Sequence, residues 1–203
     1  EVLSQAVGYG FLIFPTEEGS MGNENGAEQA KDVFGFVKDS VYSNEYYGIH
    51  FAFDSSWEYK IAEDFQDVPE DRVNLPYDEE YDVFLAERKD GMVEFYLSVE
   101  RMSEETMEEF SSLGEEGLMD YMVAEIERRA DEAETQGMTV TSVEKVKMEF
   151  CGAEKYALKT VMNSTAGVFI QYQIYYIDTE YAGTVVCNII GEKAEKEVLS
   201  MFY

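Results

Sequence analysis

Val168-Phe169-Ile170-Gln171-Tyr172-Gln173-Ile174-Tyr175-Tyr176 decides the reading of this chain. Val168, Ile170, Tyr172, Ile174 and Tyr176 recur at period two, the spacing of side chains on one face of a strand. Turn signals bound the run, Asn163 to Gly167 before it and Asp178 to Tyr181 after it. Upstream, Tyr156, Leu158 and Met162 alternate on another strand. Downstream, Gly183 to Ile190 reads as a third. A fourth, Met138 to Phe150, is rich in Val and Thr and ends at Cys151-Gly152, a turn of the two-residue hairpin kind. Consecutive strands with short turns make an antiparallel meander.

Helical patterns flank the meander. Leu118, Met119, Met122, Val123, Ile126 and Ala130 recur at steps of three and four, one face of an amphipathic helix, and Gly137 stands where a left-handed C-cap is expected. Ser103 with Thr106 and the acids Glu104, Glu105, Glu108 and Glu109 opens an earlier helical segment. Gly114 and Gly117 interrupt it. After the meander, Ala194, Val198 and Phe202 fall four apart on a closing helix. Two helices that cover one face of an antiparallel sheet make an α+β layer arrangement.

The first half carries more strands. Val33 to Phe53 reads as two strands around a turn at Ser43 to Glu45, with Ile49, Phe51 and Phe53 inward and His50 and Ala52 outward. Trp57 is a core anchor by its large apolar area, or else a stacking surface for a ligand. Ile61 to Asp82 is acidic, holds Pro69 and Pro76, and reads as a loop excursion with at most one helical turn. Tyr81 to Arg88 and Met92 to Arg101 form a hairpin around Lys89-Asp90-Gly91, with Phe95 and Leu97 set against Val83 and Leu85. Residues 1–33 read as an N-terminal arm and linker and 34–203 as one domain. Within the arm, residues 1–15 hold the apolar run Phe11 to Phe14 and suit an edge strand, a loose terminus or a contact with a neighbouring molecule.

Composition excludes more than it identifies. Forty-five per cent apolar residues make a globular chain. The 43 acids against 15 bases, a net charge of −28, repel phosphate backbones, so nucleic acid is not an expected partner. The acids read as a solvated face, or alternatively as an attractor for cations or a basic partner. Cys151 and Cys187 lack metal or CxxC spacing and are expected to be free thiols. No run is long enough to span a bilayer. The chain starts at Glu1 rather than Met, which suggests removal of an upstream segment, either an export signal or a cloning choice.

No catalytic spacing is present: GxSxG, HExxH, the P-loop and GxGxxG are all missing. His50 is the single histidine and sits on the outward side of its strand, so a His-based triad or a two-His zinc site is not expected. No catalytic residue and no cofactor is assigned. Asp78, Glu79, Glu80 and Asp82 are candidate ligands for calcium, although runs of acids are more often solvated. Paired carboxylates for glycoside hydrolysis carry little specificity in so acidic a chain. Phe169, Gln171 and Tyr175 are the candidate contact surface, on the sheet face that the helices leave open; ordinary strand aromatics are the alternative.

Three motifs carry a resemblance. They are Asn44-Glu45-Tyr46-Tyr47-Gly48-Ile49-His50-Phe51 with Trp57 behind it; Gly137 to Val140, Val143 to Val146, Phe150-Cys151-Gly152 and Ala157 to Lys159; and the ending Glu197 to Phe202. In order and spacing they resemble a family of small extracytoplasmic proteins and lipoproteins of Gram-positive gut bacteria. The element order, β-β-β-β-α-β-β-β-β-α, is similar to the PsbP-like fold, which includes a photosystem extrinsic subunit and a Ran-binding nuclear transport factor. That likeness of fold carries no function. The family resemblance implies a secreted or surface-anchored protein, with a lipid anchor upstream of residue 1 as one form of it. The expected function is a non-enzymatic binding or accessory protein for an unknown protein or small ligand. The rival is a calcium-dependent module or carboxylate-based hydrolase using residues 61–82.

Overall fold

The computed structural model describes residues 32–72, 74–77, 79–130, 137–165 and 167–199. The first three strands, β1 (Phe36–Lys38), β2 (Val41–Asn44) and β3 (Ile49–Ala52), form a small sheet in that order. The other seven are β4 (Trp57–Ile61), β5 (Glu80–Arg88), β6 (Val93–Arg101), β7 (Met138–Phe150), β8 (Ala153–Ser164), β9 (Gly167–Ile177) and β10 (Tyr181–Ile190). They build one sheet in the order β4-β5-β6-β10-β9-β8-β7, and every strand pair is antiparallel. Helix α1 (Ala62–Phe65) is a single turn, α2 (Glu104–Arg128) precedes the meander and α3 (Glu192–Leu199) follows it. The α+β class and the antiparallel meander are as the sequence implies, and the element order differs from it by two additional strands in the first half and the single-turn α1.

Local chemistry sets the meander's register. Cys151 and Gly152 both take positive φ, 50° and 75°, the backbone of the tight hairpin turn expected there. Phe150 therefore pairs with Ala153, and β7 runs back along β8 for its full length. Ser164 pairs with Gly167 where β8 turns into β9, and Ile177 pairs with Ala182 at the turn after that, which brings β10 beside β9 and closes it onto β6. β7 is a long edge strand, blunted by a bulge between Val140 and Ser142 and by the charged side chains of Glu144, Lys145, Lys147 and Glu149.

The helices do not share a face. Met107, Phe110, Leu118, Met119 and Met122 of α2 pack with Leu158, Tyr175 and Ala182. Ala194 and Val198 of α3 join the main core with Ile170, Tyr172, Ile174, Cys187 and Ile189, on the other side of the same strands. The correction follows from parity. Tyr175 and Tyr172 lie three apart on β9 and so point to opposite faces, and each has a helix over it. The small sheet occupies the rest of the α3 side. Strands this short are not stable alone; Tyr42 stacks on Phe84 at 4.0 Å between centroids and Phe51 on Phe95 at 4.7 Å. Each such pair contributes about 0.5–1.5 kcal/mol beyond the area it buries.

Other differences are local. Val33 to Phe53 holds three strands, not two, because Asp39 and Ser40 both take positive φ and make an extra hairpin turn. Val33, placed in the linker by sequence, is buried beside Phe34. Trp57 is a core residue, as expected, edge-on to Phe51 at 5.3 Å, and it also starts β4, an edge strand that ends at Ile61, where the sequence reads the loop excursion as beginning. In the β5–β6 hairpin the register slips by one at a bulge between Asp82 and Phe84, so Leu97 pairs with Phe84 and Phe95 with Ala86, in place of Val83 and Leu85. Gly114 breaks α2 as expected, whereas Gly117 stays helical. Gly137 takes φ 79° at the start of β7. Residues 1–15, 131–136 and Phe202 lie outside the described residues.

Candidate functional site

One end of the molecule holds a cleft of about 750 Å³, where four separate turns and breaks converge. Its walls come from the β2–β3 turn (Tyr46, Tyr47, Gly48), the break in α2 (Phe110, Ser111, Gly114, Glu115, Leu118), the β7–β8 hairpin (Phe150, Cys151, Ala153, Lys155) and the exit of β9 (Tyr175 to Asp178). That volume lies inside the range of roughly 300–1,000 Å³ for small-molecule sites.

Each wall has a local cause. Asn44, fully buried at the end of β2, holds the β2–β3 turn: its Nδ2 donates to the Val33 carbonyl at 2.8 Å, and its Oδ1 accepts from the Tyr46 and Tyr47 backbone N–H groups at 3.1 Å each. This is the side-chain mimic of a backbone turn that asparagine favours. Two successive tyrosines are thereby fixed over the sheet, 4.8 Å apart and near perpendicular. Tyr47 reaches Tyr176 at 5.4 Å, and Tyr46 reaches Tyr181 at 5.7 Å. Gly114 takes φ 65°, ψ 172°, a backbone essentially reserved to glycine, and there α2 bends around the cleft. Lys155 places its Nζ 4.7 Å from the centre of the Tyr176 ring.

Burial favours the protonated form of these groups. Burial raises the pKa of Tyr46, Tyr47, Tyr175 and Tyr176 above the usual phenol range. A hydrogen bond to Asp178 adds to the rise at Tyr46. Burial likewise pushes the Cys151 thiol up, against a weak Sγ contact of 3.6 Å to the His50 carbonyl. The Tyr47 hydroxyl is buried with no hydrogen-bond partner among the described residues. Cys151 and Cys187 are both free.

The residues singled out by sequence lie elsewhere, with one exception. Phe169, Gln171 and Tyr175 do share a face, but it is closed rather than open, and all three are buried. Phe169 packs with Met138 and Met162, and Tyr175 lies under α2. Gln171 Nε2 donates to Asn188 Oδ1, and Asn188 Nδ2 donates to Glu94 Oε1, both at 2.9 Å. Only Tyr175 also reaches the cleft, and its hydroxyl donates to Gln173 Oε1 at 3.0 Å. Among the acids, Asp78 lies outside the described residues. Glu79 accepts from the Tyr81 hydroxyl at 2.7 Å, Glu80 is bonded by Ser98, and Asp82 accepts from Tyr96. Among the described residues no group of three His, Cys, Asp or Glu side chains is placed to hold a metal ion. Arg72 pairs with both Asp32 and Glu63, so part of the acidic excursion is neutralised internally. His50 is exposed, with Nδ1 3.2 Å from Ser43 Oγ.

Sequence reasoning missed the cleft's own residues, Tyr46, Tyr47, Lys155 and Tyr176 foremost. One signal was available: two tyrosines inside a turn, just before Gly48, place aromatic surface where loops usually carry polar side chains.

No protein-family model matches the chain, and no curated protein matches it. Among solved structures, the chain is similar to the solution structure of cyanobacterial PsbP (CyanoP) from Synechocystis sp. PCC 6803. The two are 11% identical, with 91% of this chain and 96% of that chain covered at a TM-score of 0.45. A likeness at that level is one of outline, and no residue, ligand or role is carried across from it. No described helix is long and apolar enough to cross a membrane.

Proposed function

We propose that this chain is a non-enzymatic binding protein that acts outside the cytoplasm and takes a small ligand in the tyrosine-lined cleft. One observation carries the reading: two turns, the break in α2 and the end of β9 enclose a cleft of about 750 Å³ that gathers the rings of Tyr46, Tyr47, Tyr175 and Tyr176. Burial favours the protonated form of these phenols and of the Cys151 thiol. Catalytic nucleophiles and bases are tuned the opposite way, towards deprotonation near neutral pH. Protonated phenols suit binding, because each offers an apolar face and one hydroxyl. The acidic surface keeps the chain apart from nucleic acid and anionic membranes. The extracytoplasmic placement, and kinship with the Gram-positive family named above, belong to the same proposal and rest on the sequence motifs.

Titration of the ¹⁵N-labelled chain with a fragment library tests the cleft. Ligands that shift the amides of Gly48, Ser111, Gly114 and Ile177 as a group support the reading. Fragments that bind only elsewhere, or turnover that is lost with Cys151→Ala, would overturn it. Fractionation of the native host tests the compartment, and recovery with the cytoplasmic proteins would end that part.

A further inference from the structure

We infer that the Tyr176 face is a seat for a cation, held in the free protein by the chain's own Lys155, and that the cleft's ligand carries an ammonium, quaternary ammonium or guanidinium group that takes it over. The inference rests on the cleft being a binding site and names the chemistry of what it binds. Three observations converge. Lys155 Nζ stands 4.7 Å from the Tyr176 ring centre, inside the range of about 6 Å over which a ring quadrupole attracts a cation. Lys145, Lys147 and Lys159 on the same two strands also lie 4.8–5.8 Å from a ring centre, that of Tyr156 or Tyr172, but each is tied as well to a carboxylate within 3.1 Å. Lys155 has no such partner among the described residues, although the chain carries a net charge of −28. Its ammonium is thus held by an aromatic face, where a carboxylate would have held it more tightly.

The surroundings favour positive charge. Glu115 and Asp178 line the cleft, and Tyr46 and Tyr47 add rings beside Tyr176. Because these phenols stay neutral, a cation bound here meets ring faces and the two carboxylates rather than phenolates. A ligand cation must first displace Lys155, since two like charges cannot share one ring face. Lys155 therefore acts as an internal competitor and sets a threshold on affinity.

The experiment uses the full chain with two probes of similar shape, choline and its uncharged isostere 3,3-dimethyl-1-butanol, at matched ionic strength with sodium chloride as the control. Binding is read by NMR shifts and by calorimetry. The wild-type chain is expected to take choline in preference to the isostere, with shifts at the cleft amides. Lys155→Met, which keeps the apolar stem and removes the charge, is expected to bind choline roughly tenfold more tightly, the effect of freeing one partly desolvated cation–π contact. The isostere should not gain. Tyr176→Phe keeps the ring and should keep choline binding, whereas Tyr176→Leu should lose it. If choline and the isostere bind alike in the cleft, the cation seat falls and the cleft reading stands. If Lys155→Met binds no more choline than wild type, or choline shifts residues outside the cleft, the seat also falls. The fragment titration then decides the cleft independently.

Discussion

The phenol end of Tyr47 rests on Gly183 so closely that a Cβ at position 183 would lie 2.8 Å from Tyr47 Cζ. Gly183 keeps an ordinary strand backbone, so it is there for the space it leaves and not for its conformational freedom. We predict that Gly183→Ala lifts the Tyr47 ring off β10, costs about 1–3 kcal/mol of stability as overpacking does, and reshapes the cleft. Chemical denaturation measures the first effect and Tyr47 ring shifts the second. A variant as stable as wild type, with unmoved Tyr47 resonances, would show that the ring is free to slide.

Asn44 is the second lever on the cleft. It is fully buried and serves three backbone groups, one as donor and two as acceptor. Asn44→Ala orphans all three and is expected to cost roughly 2–4 kcal/mol. It should also abolish binding in the cleft by releasing Tyr46 and Tyr47. Asn44→Asp keeps both acceptor bonds, and in so buried a site its carboxyl stays protonated and donates towards the Val33 carbonyl as the amide did, so it should retain more of the binding than Asn44→Ala. Equal losses in the two variants would mean that the turn is held by something other than the Oδ1 contacts.

Glu94 gives a pH prediction with a definite sign. Its carboxyl is buried, and burial raises its pKa against the partial relief of the hydrogen bond from Asn188. A raised folded-state pKa means that the folded chain binds the proton more tightly than the unfolded chain. Stability from this group is therefore fully present below the ordinary carboxylate range near ~4 and is lost as pH rises through the raised folded value. Glu94→Gln still presents Oε1 to Asn188 Nδ2 but carries no charge. Relative to wild type, it should gain stability as pH rises from about 4 to 7. Glu80 shifts in the same direction, so the slope should shrink and not vanish. Urea midpoints across that range check it, and parallel pH profiles for the two chains would refute it.

Much of the fold is written in short-range pattern. Period-two runs, the Cys151-Gly152 turn, the Ser103 cap and the Gly114 break are properties of neighbouring residues, and each stands where the sequence puts it. The errors occur where a decision depends on residues far apart. The slip at Val83 depends on which of Val83, Phe84 and Leu85 best meets Phe95, Leu97 and the small sheet. The extra turn at Asp39-Ser40 needs two non-glycine residues at positive φ, which local preference disfavours. β4 is five residues long at the sheet edge, and its alternation of Trp57, Tyr59 and Ile61 with Glu58 and Lys60 is too brief a signal to separate it from the turn before it and the acidic stretch after it.

The site was less legible for the same reason. Phe169, Gln171 and Tyr175 share a face because alternation alone sets which side chains of a strand do so. Whether that face is covered depends on where α2 and α3 land, and an amphipathic helix has no local signal for the side of a sheet it will take. The cleft joins residues as far apart in the chain as Tyr46 and Asp178. By itself the sequence determined the α+β class, the antiparallel meander and the acidic character, because strand period, turn chemistry and charge are carried by adjacent residues. Only the tertiary structure set the two helices on opposite faces and brought Tyr46, Tyr47, Lys155 and Tyr176 together, because side-chain burial is settled by the whole chain at once.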